Sequence, residues 1–221
     1  MNANTDTTAD QLAVRYALVS RLADDLAHEI KNPLHAMVIN LEVLRRRLTA
    51  GDPEIALERA AVIEQEIERT HHLVDLLLKL VRPDRNHEQH AHSLAGAVDE
   101  VLPLIALQAK LARVPLQCED VDIDAPIGVS HPALKFALLA LTTPVIERLR
   151  ARANPEDGPG LRLSVAHEDE VRIRVASSSD ALPEGRALEE ARGFLKSAGG
   201  RVETAPDEPA IYLVLPRVTG A

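Results

Sequence analysis

Ala56, Ala60, Ile63, Ile67, Thr70, Val74, Leu77 and Val81 recur in alternating steps of four and three residues. That spacing is a heptad seam, and a seam needs a partner helix to cover it. The partner lies just upstream. Between Asp10 and Leu48 there is no glycine, and Pro33 is the only proline. Leu22, Leu26, Ile30, Pro33, Met37, Leu41, Leu44 and Leu48 recur at steps of three or four and share one helical face. "TAGDPE" separates the two patterns, with Gly51 as a stop and Asp52-Pro53 as a cap and first-turn residue. Two long helices joined by a short turn form an antiparallel hairpin. One hairpin buries a single face of each helix. Two hairpins would close a four-helix bundle, so the pattern predicts a homodimer.

The remaining boundaries follow from breaks in this pattern. Residues 1–9 read as a disordered tail, 10–83 as the hairpin ended by Pro83, and the polar "DRNHEQHAH" of 84–92 as a linker. Residues 93–221 read as a separate mixed domain. Leu94–Leu111, Pro132–Arg152 and 187–198 have helical patterns, and "VPLQCEDVDI" reads as a strand. "LRLSVAHEDEVRIRVAS" and "GGRVETAPDEPAIYLVLP" alternate apolar and polar residues around a turn, as β-hairpins do. The expected fold class is α+β: a helical hairpin followed by an α/β sandwich with helices on one face of its sheet.

Aromatic residues make up only 2% of the chain, so both cores must be aliphatic. A net charge of −9 speaks against a nucleic-acid partner, which requires a basic footprint, and suits protein partners better. Cys118 is the single cysteine, which excludes an intrachain disulfide; it reads as a small hydrophobe on a strand. The first residues lack an apolar signal-peptide core, and no apolar run is long enough to span a bilayer. The expectation is a soluble cytoplasmic protein without a membrane partner or a membrane sensor of its own.

"LAHEIKNPLHAM", residues 26–37, carries the chemistry. On a helix His28, Asn32 and His35 share a face away from the Leu22–Leu26–Ile30 stripe, so His28 should meet solvent. Glu29 lies on its flank. Pro33 lacks an N–H and crowds the carbonyl of Glu29, which predicts a kink one turn after the histidine. An imidazole beside a carboxylate suits a nucleophile: the carboxylate accepts one ring N–H and leaves the other nitrogen free. The bland alternative is a surface histidine. A zinc-peptidase HExxH reading fails, because Asn32 stands where a second histidine is needed.

"HEIKNPL", residues 28–34, resembles the H-box of two-component sensor histidine kinases, and "LVDLLLKLVRP" resembles the end of the second helix in that family's dimerisation and phosphotransfer domain. The resemblance covers residues 10–83. It implies that His28 accepts the phosphoryl group and that Glu29 is the general base toward the imidazole. It also implies that Asn32 orients water for dephosphorylating a receiver domain. The residues after His28, with facing residues of the second helix, would dock the receiver.

Residues 93–221 resemble the family's Bergerat-type ATP-binding domain in arrangement, above all in "ARGFLKSAGGRVETAPDEPAIYLVLP". The nucleotide motifs depart. Ala140 and Pro144 stand where the family has two asparagines, the second a magnesium ligand. Ser177, Ser179 and Ala181 replace the aspartate and glycines of the adenine-reading box. Only a few residues separate Pro183 from the next helix, too few for a lid over the phosphates, and Gly185 alone is left of the last box. "EDGPG" at 156–160 imitates the missing box in the wrong place and reads as a turn. His87, His90 and His92 have a spacing that could hold a metal, but such linkers are commonly just polar. His71, His72 and the "RRR" of 45–47 read as polar helix surface.

The resemblance therefore implies a histidine phosphotransferase. It would exchange phosphate between His28 and the aspartates of response-regulator receiver domains, with an upstream hybrid kinase as a possible donor. No cofactor is expected on this chain: ATP binding and metal are predicted absent, and Mg²⁺ is expected on the receiver. The alternatives are a non-catalytic pseudokinase that binds a response regulator or a kinase, and a receiver phosphatase using Asn32. A conventional ATP-dependent kinase fits least.

Overall fold

The structure, a computed structural model, describes residues 3–81, 92–120, 125–152, 160–167, 170–177, 182–196, 198–205 and 208–217. The linker residues 84–91, Ser179, Ala181 and most of the "EDGPG" decoy lie outside them.

Helix α1 spans Ala3–Ala50 and helix α2 spans Pro53–Val81. The turn between them is built as its sequence suggests. Gly51 adopts φ 82°, a left-handed conformation that costs glycine nothing. Its N–H donates to the Leu48 carbonyl at 3.2 Å, and the Asp52 N–H donates to Arg47 at 3.0 Å, closing a Schellman motif. Asp52 then receives the first bond of α2 from Ala56, and Pro53 occupies the first helical position, where its missing N–H costs nothing.

Two sequence expectations need correction here. The helix begins at Ala3, so most of the stretch expected as a disordered tail is helical. The polar composition of residues 1–9 bears on nucleating a helix, whereas extending one already formed gains a hydrogen bond for each residue fixed. Residues 1–15 also group with the C-terminal domain rather than with the hairpin; the two compact units are Tyr16–Pro83, and Met1–Arg15 with Asp84–Ala221. Gln11 donates to the Gly193 carbonyl at 2.8 Å, and the Arg15 guanidinium sits 4.5 Å from the centre of the Phe136 ring.

The second correction concerns the seam. The buried residues of α2 are Ala56, Leu73, Leu76 and Leu80. Ile67, Val74 and Val81 of the heptad series are 42%, 37% and 57% exposed. The C-terminal half of α2 is apolar on two adjacent stripes, and one hairpin can cover only one of them. On α1 the expected stripe is buried at Leu22, Leu26 and Pro33 and opens to solvent at Leu41 and Leu48. The helix continues through Pro33 without interruption.

The second unit opens with β1 (His92–Ser93) and α3 (Leu94–Ala112). Ser93 caps α3, its Oγ accepting from the Gly96 N–H at 3.2 Å. There follow β2 (Leu116–Glu119), β3 (Pro126–Ile127), α4 (His131–Arg152), β4 (Leu161–His167), β5 (Val171–Ser177), α5 (Arg186–Lys196), β6 (Arg201–Thr204) and β7 (Ala210–Leu215). Five strands form one sheet in the order β2-β4-β5-β7-β6, with β2 parallel to β4 and the other neighbours antiparallel. The short β1 and β3, which the sequence pattern does not reveal, pair with each other. The second Gly turn repeats the first: Gly199 has φ 82°, and the Gly199 and Gly200 amides close the end of α5 on Lys196 and Leu195.

Alternation along the strands decides where the core lies. Leu161, Leu163 and Val165 of β4 and Val171, Ile173 and Val175 of β5 are buried, and α4, packed between α3 and α5, is buried continuously from Leu134 to Thr143. The intervening strand residues carry ion pairs: Arg172 with Glu203 at 3.2 Å, Arg174 with Glu208 at 2.9 Å, and Arg201 with Glu170 at 2.6 Å. The hydrogen bond from Arg201 holds the Glu170 carboxyl below the usual carboxylate range. The helices thus cover one face, and the other is charged, as the sequence predicts.

Leu139 is fully buried at the centre of α4. Leu139→Ala is expected to destabilise the α/β unit by about 2–5 kcal/mol, the usual cost of truncating a buried leucine. Chemical denaturation followed by circular dichroism checks this; a loss below about 1 kcal/mol would mean the core is not closed around α4.

Candidate functional site

His28 is exposed on α1, and so are Asn32 and His35 along the same face. Pro33, whose ring is buried, leaves the backbone carbonyl of Glu29 without its helical donor. Glu29 is engaged by two donors other than the imidazole. Its Oε1 accepts a hydrogen bond from Asn32 Nδ2 at 3.1 Å, and its Oε2 accepts one from Arg69 Nη2 at 3.2 Å. Only 16% of the Glu29 side chain is exposed, against 46% for Arg69. The other guanidinium nitrogen of Arg69 lies 3.8 Å from Glu66. The structure therefore joins two of the three sequence-predicted residues, Glu29 and Asn32, through a carboxylate–amide bond. It leaves His28 open beside them.

Arg69 is the residue that sequence reasoning missed. A signal was present. Arg69 continues the inner stripe of α2, with Leu73, Leu76 and Leu80 following at steps of four, three and four. A charged residue in an inner stripe needs an opposite charge on the facing helix. Glu29 and Arg69 lie at nearly equal distances either side of the turn, where antiparallel helices meet. At this exposure the pair contributes no more than about 1 kcal/mol to stability. Its value lies in geometry.

Residues 18–86 match the family of His Kinase A (phospho-acceptor) domains. Residues 18–86 thus carry a phospho-acceptor domain, and the chain is similar to two-component histidine kinases. The chain is 31% identical over 140 residues to the signal transduction histidine-protein kinase AtoS of Escherichia coli K12, covering 63% of this chain and 22% of AtoS. It is 27% identical over 191 residues to the histidine-protein kinase AfsQ2 of Streptomyces coelicolor, covering 82% of this chain and 34% of AfsQ2. The chain thus spans well under half the length of these relatives. Among solved structures it is similar to the cytoplasmic segment of histidine kinase QseC, with a TM-score of 0.39 and 16% identity over 68% of this chain and 93% of that one.

The resemblance implies a magnesium nucleotide for such a fold, and among the described residues the positions it assigns to that ligand carry neither a carboxylate nor an amide. Ala140 is buried within α4, and Pro144 one turn later has neither a ligating atom nor an N–H. The neighbouring polar groups are engaged within the protein: Thr142 donates to the Leu138 carbonyl at 2.8 Å and Thr143 to Gln108 at 3.3 Å. Ser177, at the end of β5 where the family has a carboxylate, is buried. Leu182, in the short segment before α5, is tied to α4 by a hydrogen bond from Arg148 to its carbonyl. Among the described residues no cluster of three metal-ligating side chains occurs, and no helix is long and apolar enough to cross a membrane. His92 begins β1; His87 and His90 lie outside the described residues.

Pro144 deprives the Ala140 carbonyl of its helical donor. Pro144→Ala is expected to stabilise the α/β unit by roughly 2–2.5 kcal/mol, the interior-proline penalty less the entropy that proline removes from the unfolded chain. A denaturation midpoint that falls would show that the ring's packing outweighs the missing bond.

Proposed function

We propose that this protein is a histidine phosphotransferase of a phosphorelay. It exchanges phosphate between His28 and receiver-domain aspartates, without ATP-driven autophosphorylation. One contrast carries the reading: an exposed His28 with Glu29 and Asn32 in a phospho-acceptor domain, and Ala140, Pro144 and Ser177 at the positions that would serve a nucleotide.

The chemistry needs little from this chain. A ring nitrogen of neutral His28 attacks the phosphorus of a receiver's aspartyl phosphate. The P–N bond forms, the P–O bond to the aspartyl group breaks, and the aspartate leaves as a carboxylate. A second receiver reverses the step. The positive charge that develops on the phosphorylated imidazole favours a nearby carboxylate, and Glu29 is the adjacent one. The receiver's own Mg²⁺ would neutralise the phosphoryl oxygens. Exposed Leu34, Val38 and Leu41 on α1 with Ile67, Val74 and Val81 on α2 support a homodimer of hairpins.

One bond favours a second reading, receiver dephosphorylation. The amide nitrogen of Asn32 is tied to Glu29, so its oxygen is the end presented to solvent. Such an acceptor can orient a water molecule.

The test loads isolated receiver domains, one at a time, with labelled acetyl phosphate and mixes them with the protein. Label is expected on wild type, none on His28→Ala, and none from ATP alone. Labelling that survives His28→Ala, or that never appears with any receiver, sinks the transferase reading. A His28→Ala variant that restores function to a deletion strain would favour the non-catalytic alternative. Calorimetry is expected to show no tight nucleotide binding; sub-millimolar affinity for Mg-ATP would revive a kinase.

A further inference from the structure

We propose that Arg69 is a positioning residue that sets the balance between phosphoryl transfer and receiver dephosphorylation, by holding Glu29 against Asn32. The proposal rests on the reading of His28 and Asn32 given above.

Three side chains form a relay across the hairpin. Arg69 reaches from α2 to Glu29 Oε2 at 3.2 Å, and Asn32 Nδ2 donates to Glu29 Oε1 at 3.1 Å. The ion pairs at this carboxylate run from Glu29 to Arg69 and on from Arg69 to Glu66, both on α2. Glu29 is the most buried member of the relay, and it is held from both sides.

Two consequences follow from donor and acceptor chemistry. With an oxygen engaged by each of two donors, the carboxylate is directed toward α2, and the His28 ring must compete for it. With its nitrogen tied, Asn32 presents Oδ1, which accepts but cannot donate. A water bound there gives one hydrogen to Oδ1 and keeps a lone pair for phosphorus. That water bonds to the phosphorus of a docked aspartyl phosphate, the P–O bond to the aspartyl group breaks, and the aspartate leaves as a carboxylate. Both water protons end on the released inorganic phosphate, one carried with its oxygen and one passed to a phosphoryl oxygen. If Arg69 lets go, Glu29 is free to turn to the imidazole and the Asn32 amide can rotate. The clamped state thus favours hydrolysis, and the open state favours transfer onto His28. Arg69 touches neither phosphorus nor water, so its effect passes through Glu29 and Asn32.

The experiment uses the full chain and receiver domains charged with [32P]acetyl phosphate. It follows label on the protein and inorganic phosphate released, for wild type, Arg69→Ala and Arg69→Lys. Arg69→Ala is expected to slow phosphate release by roughly tenfold or more, as loosening a group that orients a reactant does, while label on His28 persists or rises. Arg69→Lys keeps a cation and an N–H donor and is expected to restore most of the release. Helicity by circular dichroism controls for folding. Release that is unchanged in Arg69→Ala overturns the proposal. So does a parallel fall of release and labelling that tracks lost helicity, which would make Arg69 a brace of the hairpin. A wild type that releases no phosphate overturns it too. Arg69-dependent release without any label on wild type supports the clamp while sinking the transferase reading. Label with Arg69-independent release sinks the clamp alone.

Discussion

The chain reversal at Gly51 decides what stands beside His28. A left-handed residue closes two bonds onto the last turn of α1, and α2 starts at once from Asp52 and Pro53. After that, two stiff helices run back along each other, and their register is no longer adjustable. Slipping α2 by one residue would turn it by about 100° and carry Leu73, Leu76 and Leu80 off the inner face. The same register appears at both ends of the contact, as Arg47 with Asp52 at the turn and Glu29 with Arg69 many residues away. Arg69 thus reaches the H-box because of a glycine and three leucines that have no chemistry of their own.

In the α/β unit, the atoms that hold the scaffold are not those that the resemblance assigns to a ligand. The continuous burial of α4 from Leu134 to Thr143 rests on aliphatic volume, which a nucleotide site does not need. The ligand positions in the same helix rest on two side chains, and these are Ala140 and Pro144. Removing polar groups from a buried helix carries no penalty of its own, provided the remaining ones are satisfied. Thr142 and Thr143 are satisfied inside the protein. A domain can in this way lose the residues for a ligand and keep its fold, because the two depend on different atoms.

What the sequence showed and what it hid divide along the same line. Helices and strands were legible where burial imposes a period, as in α3, β4 and β5, and α4 was legible despite its continuous burial. The exposure of His28 and Asn32 was legible too, because their spacing places them off the Leu22–Leu26 stripe. The beginning of α1 was not, because residues 3–9 have no apolar period and owe their helix to the residues that follow. The inner face of α2 was not, because Thr70–Val74–Leu77–Val81 and Leu73–Leu76–Leu80 are both plausible stripes, and only a partner selects one. Arg69 was hidden by the same choice: on the inner stripe its charge is conspicuous, and on the outer reading it looks like ordinary surface.

The two stripes also explain how a bundle and an open nucleophile can coexist. On α1, at about 100° per residue, Leu22, Leu26 and Pro33 point toward α2, and Leu34, Val38, Leu41 and Leu48 form a neighbouring stripe left exposed in the single chain. His28 and Asn32 fall on neither. A second hairpin laid over the exposed stripe would cover Leu34, Val38 and Leu41 and still leave the imidazole to solvent. Ile39 shares the face of His28 and Asn32 and is 63% exposed. Ile39 lies on neither stripe, so a second hairpin laid over Leu34, Val38 and Leu41 would leave it exposed as well.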